Sequence, residues 1–190
     1  MSSQAMNQYL TTSGVNRNYK IMEQTYHFEQ MSVLLVDDNK HMQRLVSTIL
    51  QGFGVRDIVA VSNAATALKE LESRPIDLVI CEYHLSPTDG LEFTKMVRKA
   101  KDSRDPSMPI LMLTAHSELN HVISARDAGI SGAIAKPVSP AYLHRHIVEL
   151  VKRPRQFVRS QKFFGPDRRS RVKEEFPIPP RRRQSDKLLH

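Results

Sequence analysis

The chain has 190 residues, room for one domain with tails or for two very small domains. Its formal charge of +8 is uneven, because Lys152–His190 holds 13 Lys/Arg against 4 Asp/Glu while residues 1–151 hold 15 against 16. A single cysteine, Cys81, excludes a disulfide framework; no apolar stretch reaches the roughly 18–20 residues of a membrane span, and the polar N-terminus lacks the apolar core of a secretory signal, so a reducing, cytoplasmic setting is expected.

Residues 1–30 are rich in Ser, Thr, Asn and Gln without a sustained apolar period, which predicts disorder apart from a short helix near Tyr19–Phe28. Ser32–Val36 reads as a strand. Asn39 then caps a helix with apolar positions Met42, Leu45, Val46, Ile49 and Leu50, ended by Gly52 and Gly54. Ile58–Val61 is the second strand, and Asn63 caps a helix through Ala64, Ala67, Leu68 and Leu71 that exits at Pro75. Ile76–Cys81 is apolar almost throughout, as a central strand buried on both faces should be. The loop Glu82–Gly90 carries the turn signals Pro87 and Asp89-Gly90. A helix over Leu91–Ala100, a strand at Ile110–Leu113, a helix from about Ser117 to Ala128 and a strand at Gly132–Ala135 follow. Ser139 caps the last helix, on Leu143, Ile147, Leu150 and Val151, which Pro154 stops.

Five alternating strands and helices over about residues 31–153 predict a parallel sheet with helices on both faces. In such a sheet ligands bind at the edge formed by the strand C-termini. Asp37-Asp38, Glu82, Thr114 and Lys136 each follow a strand and should converge there. Mg²⁺ keeps several waters and needs only one or two carboxylates beside a phosphoryl oxygen. Adjacent carboxylates repel each other and so favour a cation. Lys136 can neutralise a phosphoryl oxygen, Thr114 can donate a hydrogen bond to another, and Pro137 fixes the backbone beyond the lysine. Alone, each has a structural explanation: a solvated turn for the Asp pair, a helix cap for Thr114. Their order on successive strand ends carries the functional reading.

The stretches Val33-Leu34-Leu35-Val36-Asp37-Asp38-Asn39, the Pro87–Gly90 turn, Leu113-Thr114-Ala115 and Ala135-Lys136-Pro137 together resemble the response-regulator receiver domain of bacterial two-component signalling, in its chemotaxis-regulator-like form. The resemblance covers about residues 31–153. It implies a flavodoxin-like, doubly wound five-stranded parallel sheet of order 2-1-3-4-5. It also implies a signalling protein with Mg²⁺ at the acidic pair, a phospho-acceptor aspartate ending the third strand, and Thr114 and Lys136 as phosphoryl sensors. The set lacks a nucleophile–base pair of the usual kind, so no enzyme is expected. The implied partner is a histidine kinase or another signalling protein, with a homodimer as a further expectation.

Two departures stand out. The phospho-acceptor position holds Glu82, which makes the expected cation ligands Asp37, Asp38 and Glu82. Its carboxylate reaches about 1.5 Å farther than that of Asp, one C–C bond. A displacement near 1 Å can cost about a hundredfold in rate, so Glu82 is expected to resist phosphorylation. It can instead sit near Lys136 and Thr114, where a phosphoryl oxygen would be. The second departure is Ala133, at a switch position where the family often has an aromatic that swings inward; alanine cannot.

His84 reads as a solvated loop histidine before a phosphorylatable or metal-binding one, and His41, His116 and His121 show no metal-ligand spacing. Cys81, with no base motif beside it, reads as inert core. Residues 154–190 form a basic, Pro- and Arg-rich tail with Phe157, Phe163-Phe164 and Arg181-Arg182-Arg183, expected to be mostly disordered. It is open to three readings: a plain disordered tail, an aromatic-and-basic docking segment, or a nucleic-acid- or acidic-surface-binding element for which the receiver is scaffold.

Overall fold

The computed structural model describes residues 28–99, 105–115, 119–152, 157–159 and 164–167. The helix expected near Tyr19–Phe28 and the arginines Arg181, Arg182 and Arg183 lie outside these residues, save Phe28 itself.

Five strands, β1 (Ser32–Val36), β2 (Asp57–Val61), β3 (Leu78–Glu82), β4 (Ile110–Thr114) and β5 (Gly132–Ala135), form one parallel sheet of order β2-β1-β3-β4-β5. This is the flavodoxin-like order. The helices are α1 (Lys40–Gly52), α2 (Ala64–Ser73), α3 (Gly90–Lys99), α4 (Leu119–Ala128) and α5 (Pro140–Lys152). Alternation along the strands feeds two cores. Leu34, Val36, Val79, Cys81, Ile110 and Met112 pack with α2, α3 and α4 through Ala67, Phe93, Val97 and Ala125. Val33, Leu35, Leu78, Ile80, Leu111, Leu113 and Ile134 pack with α1 and α5 through Val46, Leu50, Leu143 and Ile147.

The capping residues act where the sequence puts them. Asn39 accepts hydrogen bonds from the His41 and Met42 amides, and Asn63 accepts one from Thr66 N at 2.9 Å. Ser139 Oγ accepts one from Tyr142 N. Gly54 and Gly129 both take positive φ, which relieves the Cβ strain of a left-handed residue just past a helix end.

Three features differ from the sequence reading. In α1 the buried stripe is Gln43, Val46 and Leu50, while Leu45 points to solvent. Phe28–Gln30 forms a 3-10 turn whose buried Phe28 packs on Phe53 and His144. Within the C-terminal stretch, β6 (Phe157–Arg159) and β7 (Phe164–Pro166) pair as an antiparallel hairpin. The Phe157 ring lies under the Arg98 guanidinium, 5.0 Å from its centroid, and against Phe164. Gly165 and Pro166 are buried.

Candidate functional site

The parallel register brings the five candidate side chains to one edge of the sheet. Val36 pairs with Val61 and Cys81, Glu82 with Leu113, and Thr114 with Ala135, so Asp37, Glu82, Thr114 and Lys136 sit at or just beyond four neighbouring strand ends. Backbone bonds continue past the strands: Asp37 N donates to Val61 O at 3.1 Å, Tyr83 N to Leu113 O at 2.8 Å, and Lys136 N to Thr114 O at 2.8 Å.

Asp37, Glu82 and Thr114 are buried, whereas Asp38 is exposed. The Lys136 ammonium forms an ion pair with Glu82 Oε2 and lies 3.6 Å from Asp37 Oδ2. Glu82 Oε1 accepts a hydrogen bond from His84 N at 3.1 Å, so both oxygens of the longer carboxylate are engaged. Asp37 Oδ1 accepts one from Asn39 N at 2.8 Å, and Oδ2 accepts none. Burial raises the Asp37 carboxyl above its ordinary value; the Asn39 amide and Lys136 oppose this, and Glu82 and Asp38 add to it.

The loop after β3 closes tightly back onto the end of the strand. Gly90 N donates to Tyr83 O at 2.8 Å, and a Cβ at Gly90 would lie 2.3 Å from Glu82 O. Only hydrogen fits there, which explains the glycine of the Asp89-Gly90 turn by space. Asp89 Oδ1 caps α3 through Glu92 N at 2.7 Å.

Ala133 is half-buried against the core beside α2, α3 and α4. The His84 ring stacks edge-on to Tyr83. Cys81 is buried, and burial pushes its thiol well above the ordinary value, as expected of an unreactive core thiol.

Among the described residues no three His, Cys, Asp or Glu side chains form a metal cage. A hydrated Mg²⁺ needs less. Asp37 Oδ2, free of hydrogen bonds, and the adjacent exposed Asp38 fit a water-rich ion bound by two carboxylates. Glu82 would join through a remaining lone pair of either oxygen, beside the Lys136 ion pair and the His84 amide.

Two structurally important residues were not legible as such, one at the site and one at the opposite edge of the sheet. Gln43 is a buried amide beneath Asp37. Its only sequence signal is a polar residue in register with Val46 and Leu50. Arg98 is buried near the end of α3, where a cation reads as an ordinary dipole-compensating side chain.

No helix among the described residues is long and apolar enough to cross a membrane. Residues 33–148 match the model of the response regulator receiver domain family. The chemotaxis protein CheY of Pseudomonas aeruginosa is 28% identical over 123 residues, covering 65% of this chain and 98% of that protein. The chemotaxis protein CheY-3 of Vibrio cholerae is 28% identical over 125 residues, covering 66% and 95%. Among solved structures, a response regulator from Chloroflexus aurantiacus aligns with TM-score 0.60 at 28% identity, covering 65% of this chain and 98% of that one. The receiver domain of a sensor histidine kinase from Pseudomonas aeruginosa, solved with a magnesium ion coordinated in its active-site cleft, aligns with TM-score 0.58 at 26% identity, covering 64% and 98%. With its sheet order, its strand-end residues and a family match over most of its length in agreement, this chain belongs to the response regulator receiver domain family of two-component signalling.

Proposed function

We propose that this receiver works without an aspartyl-phosphate cycle and signals by protein–protein contact from a pocket whose charges Glu82 holds in one arrangement. The observation that carries this reading is the Glu82–Lys136 ion pair. The glutamate oxygen occupies the ammonium that a phosphoryl oxygen would otherwise engage, and the other oxygen is tied to the His84 amide. An attacking oxygen must be placed within a fraction of an ångström for in-line transfer, and this one is both displaced and paired. Thr114, buried on the next strand end, lies on the same edge. Ala133 offers no ring to reorient, so a readout through an inward-swinging aromatic is absent.

The setting is the cytoplasm, and the partners are a histidine kinase, another signalling protein or a second copy of the chain. Mg²⁺ binds weakly, chiefly through Asp37 and Asp38. When bound, the ion would screen the charge of the carboxylates and of any incoming phosphoryl group. Asp37 holds its carboxylate ready through the Asn39 amide, while Lys136 draws charge toward Glu82.

The test is mass spectrometry after incubation with acetyl phosphate and Mg²⁺. The wild-type chain should carry no phosphoryl group at Glu82. Glu82→Asp should acquire one: an aspartate oxygen forms the new O–P bond as the bond from phosphorus to the acetyl oxygen breaks and acetate leaves. Near-stoichiometric labelling of wild-type Glu82 would refute the reading.

A further inference from the structure

One of the three buried positions on α1 is an amide. Gln43 is 6% exposed and shares its stripe with Val46 and Leu50. A buried amide is costly unless its hydrogen bonds are made, and those of Gln43 are. Its Nε2 donates to Asp37 O at 2.6 Å and Val61 O at 3.0 Å, and lies 3.3 Å from Ser62 Oγ. Its Oε1 accepts from Lys40 Nζ at 3.1 Å, and the same ammonium donates to Ser62 Oγ at 2.8 Å. Gln43, Lys40 and Ser62 therefore form a polar buckle that joins the start of α1 to the loop after β2, directly behind Asp37.

The Asp37 carbonyl belongs to the planar peptide that links Asp37 to Asp38. Its orientation fixes where the Asp38 nitrogen and Cα sit, and so the point from which the Asp38 side chain leaves the backbone. Asp37 is thus held at three points: its N–H on Val61 O, its carbonyl on Gln43 Nε2, and its Oδ1 on Asn39 N. Gln43 supplies the hold on the plane that carries Asp38. Asp38 is exposed and no hydrogen bond holds its own side chain among those described, so this backbone restraint is what limits where its carboxylate can go.

We infer that Gln43 is a positioning residue for the acidic pair. It fixes the Asp37–Asp38 peptide plane, and through it the spacing of the two carboxylates offered to a hydrated divalent cation. Gln43 does not touch the cation. The consequence for cation affinity rests on the reading of Asp37 and Asp38 as a Mg²⁺ site; the hold on the peptide plane does not.

The two parts are separable in one set of samples of the full chain, by nuclear magnetic resonance. Hydrogen exchange at the Asp37 and Asn39 amides, which flank the plane on either side, measured without metal, reports how firmly it is held. The Ser131 amide, bonded to Ile110 O at 2.8 Å at the opposite edge of the sheet, is the internal reference. Titration with Mg²⁺ alone, followed at the Asp38 amide, reports affinity. Gln43→Leu should lower protection at Asp37 and Asn39 but not at Ser131, and should raise the Mg²⁺ Kd about tenfold, the low end of the effect of losing a group that orients a metal ligand. Gln43→Glu keeps the size and the acceptor for Lys40 but turns an oxygen toward two carbonyls. It should shift exchange in the same direction, so that the loss follows the donor and not the volume. Unchanged protection at Asp37 and Asn39 in both variants would overturn the inference. So would an equal loss at Ser131, which marks general destabilisation. A wild-type chain that does not titrate with Mg²⁺ would overturn the metal reading and the affinity consequence, while exchange would still decide the role of Gln43.

Discussion

Cutting the chain after Lys152 should destabilise the receiver, because the β6–β7 hairpin is seated on the ends of α3 and α4. Arg98 is the centre of that contact. Its Nε donates to Gly129 O at 3.0 Å and its Nη1 to Pro106 O at 2.7 Å. Burial pushes the guanidinium down to about 10. The Phe157 ring covers it, Phe164 packs on Phe157 at 5.4 Å, and a Cβ at Gly129 would lie 2.9 Å from Phe164 O. A cation–π contact of this kind is worth about 0.5–2 kcal/mol, and the aromatic pair about 0.5–1.5 kcal/mol. Half-burying two Phe side chains adds roughly 1–1.5 kcal/mol each.

Against these stand the ordering of the hairpin backbone and the desolvation of Arg98, whose Nη2 is buried without a hydrogen bond. The ordering cost is the larger of the two, roughly 1–2 kcal/mol per residue, and offsets most of the gain, so a loss of about 2 kcal/mol on truncation is the upper bound. For a domain of this size that lowers Tm by at most about 5–10 °C. Thermal melts of the full chain and of the chain ending at Lys152, followed by circular dichroism, measure it. Arg98→Leu should cost more, about 3 kcal/mol, since the Gly129 and Pro106 carbonyls lose their charged donor. A truncated chain that melts together with the full one would refute the reasoning and return the hairpin to the status of a passive tail.

Two further predictions concern the core and the acid range. Gly90→Ala places a methyl group 2.3 Å from Glu82 O and 3.1 Å from Tyr83 O, both backbone atoms that cannot rotate away. It should lower the urea midpoint by an amount corresponding to about 1–3 kcal/mol, and an unchanged midpoint would show that the start of α3 can move off β3 freely. His144 packs edge-on to Phe53 at 5.1 Å, and burial, with Lys152 second, holds its imidazole below the ordinary value. Between its folded value and about 6.5 the unfolded chain binds more protons, so this contribution is present above that window and is lost as pH falls through it. Urea midpoints on the two sides of about pH 6.5 should differ more for the wild type than for His144→Gln.

Much of this protein is legible in its sequence because the deciding interactions are local. Asn39, Asn63 and Ser139 cap helices through amides two or three residues away, and Gly54 and Gly129 turn the chain where no other residue sits easily. Strand hydrophobicity and the alternation of strands with helices dictate a parallel sheet. A parallel sheet in turn sends Asp37, Glu82, Thr114 and Lys136 to one edge. The tertiary structure alone decided which charges meet. Spacing along the chain puts Lys136 near both Asp37 and Glu82, but the fold draws its ammonium onto Glu82. It likewise turned Leu45 outward and Gln43 inward, because rotating α1 to offer Gln43 to the Asp37 and Val61 carbonyls satisfies buried acceptors that a leucine could not. Arg98 and the Phe157–Phe164 hairpin belong to the same class. Such pairings depend on the distance between elements far apart in sequence, to which no periodicity or cap responds.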